Sequence, residues 1–294
     1  MKFANESAAI AYRVLNKCAQ EMEPAGPWRW RCVMQNGTRM NIAAAIDDSF
    51  LQLVCRPEAI RKAVLALEDA MLFNKTLAGG VKLAINSSTS CLHLRTDIVI
   101  VDERQLIERL EWALEGFHDG NRLLLSSDLL NERAELQTAP DTDLDERLRE
   151  SPWPCIKRGP NNYSVELDAH AAPPGGIRIN GSNLELSVEL LRCGAPANAS
   201  RHALALFLLT ATSALRMVRA YAAAAEDQES FGLQVSLPSS AACAEIDHAL
   251  AALSIAYRMC AREAAVLLQA AAAHHYLAAR DHSTTDNHQT EKEN

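Results

Sequence analysis

The 294-residue chain carries nine histidines and eight cysteines, the side chains that most often do chemistry, yet their spacing withholds it. His274 and His275 are adjacent, so on a helix their side chains diverge by about 100° and cannot simply share an ion. The positions one turn from His274, Ala270 and Ala278, bring no second ligand. Asp141, Asp143 and Asp145 lack the glycine and closing glutamate of a calcium loop and read as a solvated charge run. His93 falls in a strand pattern where a general base could stand, but no orienting partner accompanies it. Arg29 and Arg31 flank Trp30, a pattern that can stack on nucleotides. Strand alternation sends both arginines to one face and the indole to the other. Cys18, Cys32, Cys55, Cys91, Cys155, Cys193, Cys243 and Cys260 never form C-x-x-C, which leaves neither a zinc knuckle nor a thioredoxin-type site. They read as small hydrophobes in a reducing compartment. Glycine-rich phosphate loops, paired-histidine zinc motifs and nucleophile elbows are missing from the sequence. Gly79-Gly80 and Gly175-Gly176 read as turns. The expectation is a protein that is not an enzyme, with no cofactor and no metal.

Composition points the same way. Hydrophobic residues make up 48% and charged residues 22%, a globular balance. A net charge of -8 argues against nucleic acid as the main partner, since phosphate binders carry a basic surplus. The longest apolar stretch, Ala203 to Leu215, is interrupted by Thr210, Thr212 and Ser213 and falls short of the roughly 20 residues that span a bilayer. Glu6 and Arg13 break any apolar signal core near the N-terminus. A cytoplasmic protein without a membrane partner is expected.

The elements that would position any site follow from periodicity. Ile10, Val14, Cys18 and Met22 recur every four residues and predict a helix over Glu6 to Met22. The period then drops to two. Trp30, Cys32 and Met34 alternate, Asn36-Gly37 signals a hairpin, Met40, Ile42, Ala44 and Ile46 alternate again, and Asp47-Asp48 turns the chain into Leu51, Leu53 and Cys55. Pro57 opens a helix with Ile60, Val64, Leu67 and Met71 on its buried stripe. Two strands at Val81–Ile85 and Leu92–Ile98 and a helix over Glu103–His118 complete a lobe. The predicted class is α+β, with a first lobe ordered α-β-β-β-α-β-β-α over residues 1–120. A Pro-rich and acidic linker over 121–160 follows, with a short helix around Leu144 to Leu148.

Residues 161–280 read as a degenerate second copy. It contains three strands, a long helix from Ser200 to Ala225, a strand at Leu233–Leu237, and a closing helix over Ala241–Leu277. In that helix Ile246, Leu250, Leu253, Tyr257, Cys260, Ala264 and Leu267 form a heptad-like seam. Residues 281–294 are polar and read as a disordered tail. The repeat spacing is near 140 residues, a duplication of pattern rather than of sequence.

The α-β-β-β-α-β-β-α order of residues 6–118, with its hairpin at Asn36-Gly37, its Pro57 helix and its paired strands before Glu103, resembles the class I type III secretion chaperones, the Tir-chaperone-like family. Regulatory proteins of the YbjN kind are similar in outline. Members of the chaperone family are homodimers that hold a partly unfolded effector segment without ATP. The resemblance therefore implies a protein client, either a secreted effector or a regulator, held in a partly extended state. This chain departs from the family by carrying two units, as a monomeric pseudo-dimer or a homodimer of such chains. A client strand would add to a sheet edge and insert side chains into grooves lined by adaptable apolar residues. Val14, Met22, Met34, Met40 and Ile42 are the candidates for that groove. The alternative is a regulatory or scaffold protein that oligomerises through the helical seam. An enzyme assembled from unremarkable residues would instead need a deep polar pocket with strongly shifted titratable groups.

Overall fold

The structure, a computed structural model, describes residues 6–36, 38–56, 66–86, 91–125, 142–167, 173–225 and 227–290. It is an α+β protein of two lobes, each built on an antiparallel six-stranded sheet. The first lobe contains α1 (Glu6–Cys18), β1 (Glu21–Gly26), β2 (Arg29–Asn36), β3 (Thr38–Asp47), β4 (Phe50–Cys55), α2 (Leu67–Thr76), β5 (Lys82–Ile85), β6 (Leu92–Val99) and α3 (Glu103–Leu125). The second contains α4 (Thr142–Glu150), β7 (Cys155–Gly159), β8 (Asn162–Val165), β9 (Gly175–Asn180), β10 (Asn183–Gly194), α5 (Asn198–Ala214), β11 (Arg219–Ala225), β12 (Gln228–Pro238), α6 (Cys243–Leu267) and α7 (Ala270–Thr290).

The two sheets have one topology. Strand order is β1-β2-β3-β4-β6-β5 in the first and, read from its other end, β7-β8-β9-β10-β12-β11 in the second. Among the described residues each lobe is therefore α-β-β-β-β-α-β-β-α, one strand richer than the sequence pattern, and α7 of the second lobe has no counterpart among them. A meander of four strands runs down each sheet. The sixth strand then pairs with the fourth, and the fifth is left outermost. α3 lies across the first sheet and packs on α1, while α6 lies across the second and packs on α4. One continuous apolar core runs through both lobes.

Several expectations change. The first helix stops at Cys18 and Met22 belongs to β1. Pro24 is tolerated there because β1 is an edge strand, where a missing N–H need not break a ladder. The segment expected as a linker supplies α4 and β7, the latter an edge strand paired with β8. The helix expected over Ser200 to Ala225 ends at Ala214, and Arg219–Ala225 is a strand paired with β12. Its alanine run mimics helix propensity, but β11 faces α2 of the other lobe, and small side chains let that helix approach. The closing helix breaks at Leu268–Gln269, where the Leu268 and Gln269 amides both donate to Val266 O. α7 then turns back onto α5, with Tyr276 edge-on to Phe207 at 6.3 Å. Helical backbone continues to Thr290, into the stretch read as a tail. Gly37, Pro57, Ile60 and Val64 lie outside the described residues, although Asn36 and Thr38 do close the β2–β3 hairpin.

Candidate functional site

The titratable side chains that the sequence left scattered converge where the lobes meet. The meeting surface is built from equivalent elements, with α2 and β5 of the first lobe against α5 and β11 of the second. Lys82 opens β5 and Arg219 opens β11. The Lys82 ammonium crosses the seam and donates to Thr212 O (2.8 Å), Leu215 O (2.5 Å) and Val218 O (3.1 Å). The Arg219 guanidinium crosses the other way and donates to Leu77 O (2.6 Å) and Val81 O (3.2 Å). Leu77 and Leu215 are the residues that cap α2 and α5. Each lobe thus places a cation at the negative end of the other's helix dipole and satisfies carbonyls that helix ends leave open. Asn74 ties the same region together. Its amide donates to Leu83 O at 3.0 Å and, across the seam, to Ala220 O at 2.9 Å, while its oxygen accepts from the Leu83 amide at 2.6 Å.

The counter-charges are unequal. Asp97 lies 3.3 Å from Lys82 and 2.8 Å from Arg95, and it also accepts from the Met217 amide at 3.2 Å. Arg95 donates to Ser213 O across the seam at 2.5 Å. At the position in β12 equivalent to Asp97 stands Ser236, which accepts from Arg219 at 2.7 Å. Among the described residues no carboxylate forms an ion pair with Arg219. Burial pushes the Lys82 ammonium down to about 8 against the pull of Asp97 and the Arg219 guanidinium down to about 10. Burial also works to raise the Asp97 carboxyl, but Lys82 and Arg95 prevail and hold it below the usual range.

A second buried pair closes the seam beside this one. Arg109 of α3 binds Glu245 of α6 through two parallel hydrogen bonds of 2.9 Å each. Glu245 also accepts from the Ala242 amide at 2.9 Å, a capping contact at the start of α6. Desolvation would raise its carboxyl, and Arg109 with the Ala242 N–H brings it below the usual range. Between the two clusters lies a cavity of about 30 Å³, lined by Asp97, Arg109, Trp112, Met217, Ser236 and Glu245 among others. That is about the volume of one water. Lys82, which has a lowered pKa and would be the nucleophile to suspect, is fully buried and offers its three protons to three carbonyls and one carboxylate. Its geometry is that of a structural ammonium.

The candidate residues distribute as follows. Val14, Met34, Met40 and Ile42 are buried in the core between the first sheet and its helices, and Met22 is half-buried on β1. They are packed together, and four of the five are closed to a client. The seam residues Ile246, Leu250, Leu253 and Leu267 are buried and Tyr257 is half-buried, because that face of α6 lies on the second sheet. It cannot serve an oligomer while the lobe is folded. His93 is buried in β6 with its Nδ1 3.5 Å from Cys91 O, and burial pushes it down to about 4, so it stays neutral at physiological pH. Trp30 is buried and its flanking arginines are exposed. His274 and His275 are exposed on α7, and all eight cysteines are free thiols. Asp145 binds Lys157 and Tyr163 rather than an ion. Asp141 lies outside the described residues.

What sequence reasoning missed is the opposite face of α6. Ile255 (55% exposed), Met259 (58%) and Val266 (39%) stand in line on its solvent side. Among the described residues the other exposed large hydrophobics are Val101 and Ile156. The signal was available, because Ala252, Ile255, Met259 and Val266 repeat at helical spacing beside the stronger inner seam. No known protein family, curated protein or solved structure matches the chain. No helix among the described residues is long and apolar enough to cross a membrane.

Proposed function

We propose that this chain is a non-enzymatic, cytoplasmic protein-binding module, a chaperone-like pseudo-dimer that holds a secreted effector or a regulatory protein. The observation that supports this most is the reciprocal seam, in which Lys82 and Arg219 cap each other's partner helices. Two like units meet through equivalent surfaces, as in an isologous dimer, and a homodimer of single units is the assembly that the type III secretion chaperone resemblance implies. Four of the five groove candidates are core, and the exposed Ile255, Met259 and Val266 support the outer line of α6 as the client surface. The exposed line Ile255, Met259 and Val266 favours a second reading, a scaffold that associates through the outer face of α6 rather than through the inner seam.

The test is affinity capture with the full chain, paired with sedimentation of the purified protein. The expected result is one dominant heterologous partner that is released by Ile255→Glu with Met259→Glu while the circular dichroism spectrum and Tm stay unchanged. Retention of the partner by this double variant would remove α6 as the client surface. A homo-oligomer that the same double variant splits would replace the chaperone reading with the scaffold.

A further inference from the structure

The duplication supplies an internal control for the outer face of α6. Buried positions align α3 with α6, with Leu106 matching Ile246, Leu110 matching Leu250 and Ala113 matching Leu253. On that alignment Glu108, Glu115, Asp119 and Arg122 of α3 stand where α6 carries His248, Ile255, Met259 and Arg262. Asp119 and Arg122 pair with each other at 3.4 Å on the surface. The fold thus accepts charge at these places, and the first lobe shows what their solvated form looks like. Ile255 and Met259 are exposed although no packing demand puts them there. Arg258 and Arg262, both exposed and one turn apart, run along one flank of the line, and Glu263 is exposed on the other. Arg258 also donates to Ser254 Oγ at 3.3 Å.

From this we infer that the outer face of α6 docks an amphipathic helix whose apolar ridge covers Ile255, Met259 and Val266 and whose flank carries carboxylates facing Arg258 and Arg262. The inference names the partner chemistry of the surface proposed above and rests on that reading. A helix fits better than a strand. α6 has no backbone edge to offer, and a strand laid on an apolar line would leave its own N–H and C=O groups without partners. A helix brings its backbone already satisfied and meets this ridge with residues at i, i+3, i+4 and i+7. From Ile255 to Val266 the line runs about 16 Å, which sets the partner at three turns or more. The arginine side decides the sign of the partner's facing flank, because acidic groups there are attracted to Arg258 and Arg262 and basic ones are repelled.

The probe is a helical peptide of about 14 residues, roughly four turns, with leucines on one face and glutamates on the flank, together with a twin carrying lysines in place of the glutamates. Both are titrated into the full chain by fluorescence anisotropy. The acidic peptide should bind more tightly than its twin. Ile255→Glu or Met259→Glu should each weaken it by about tenfold or more, as expected for losing one buried apolar side chain. The Arg258→Glu, Arg262→Glu double variant should reverse the preference. Equal binding of the two peptides, or binding that ignores Ile255 and Met259, overturns the inference. If neither peptide binds while the captured partner is still released by the Ile255→Glu, Met259→Glu chain, the helical partner chemistry fails and the client surface stands. If neither effect appears, both fail. Self-association broken by the same substitutions overturns the inference in favour of a second copy as the occupant.

Discussion

Lys82 and Arg219 hold the same station in two lobes of one topology, and they solve the same problem with different chemistry. Both are fully buried cations at the head of the fifth strand, and both reach across to the last carbonyls of the other lobe's helix. The first lobe answers its cation with a carboxylate, Asp97, which also serves Arg95. The second answers with a hydroxyl, Ser236, and with carbonyls of the first lobe, while the Glu185 carboxylate acts on the charge without forming an ion pair. What the two lobes share is the direction of the contact across the seam. What differs is how each lobe balances its own charge. Arg109 and Glu245 show the same division, since the matched positions are Ala249 in α6 and Gln105 in α3. A pair of first lobes would bury two Arg109 cations with no Glu245, and a pair of second lobes would bury two Glu245 carboxylates with no Arg109. The seam therefore favours joining unlike lobes, a preference set by unpaired charge in the wrong pairings.

The sharpest way to break the comparison is to remove each counter-group. Asp97→Ala strands Lys82 and Arg95 without a carboxylate and should cost about 3–5 kcal/mol, the penalty for orphaning a buried charge. Ser236→Ala removes one hydrogen bond and should cost about 1–3 kcal/mol. Urea denaturation measures both, and equal costs would erase the claimed difference between the lobes. Next in size is the Arg109–Glu245 pair. Arg109→Ala and Glu245→Ala should each cost about 3–5 kcal/mol, and the double variant should cost clearly less than their sum in a double-mutant cycle.

The acid limb tests the same carboxylates together. Asp97 and Glu245 are both held below their ordinary values. Each contributes stability that is fully present above its unfolded pKa, about 3.9 for Asp and 4.3 for Glu, and that is lost as pH falls through its lower folded value. Stability should therefore fall as pH drops below about 4, and the drop should shrink in Asp97→Asn, as read by urea midpoints across pH. The smallest effect concerns the turn entering the fifth strand. Gly80 (φ 65°) and Met217 (φ 62°) hold the same left-handed conformation in the two lobes. Met217→Gly should destabilise only slightly by thermal melt, because relief of left-handed strain offsets part of the entropy of glycine and of the lost Met217 packing. Gly80→Ala should destabilise, because its Cβ would come within 2.8 Å of the Trp112 ring.

Much of this fold was legible because two-residue alternation is hard to mistake. β2, β3, β4, β8, β9, β10 and β12 each carry an apolar face facing the core, and the Asn36 hairpin fell where its turn residues put it. The failures have local causes. Glu21–Gly26 is almost wholly exposed and holds a proline, so no apolar alternation marks it as a strand. Arg219–Ala225 is an alanine run whose strand state is imposed by pairing with β12 and by α2 across the seam. The groove candidates share adaptable apolar side chains, and apolar character alone does not separate a core methionine such as Met34 from a surface one such as Met259. The seam was invisible for a different reason. Lys82 and Arg219 are 137 positions apart, and each acts on carbonyls, which leave no trace in residue type.

Each lobe's buried cation holds the end of the other lobe's helix. Native-state hydrogen exchange on Lys82→Met and Arg219→Met addresses it directly. The reciprocal seam predicts that Lys82→Met loosens amides in Ala214–Val218 of the second lobe and that Arg219→Met loosens Leu77–Val81 of the first. Loss of protection confined to β5 in one variant and to β11 in the other would contradict it.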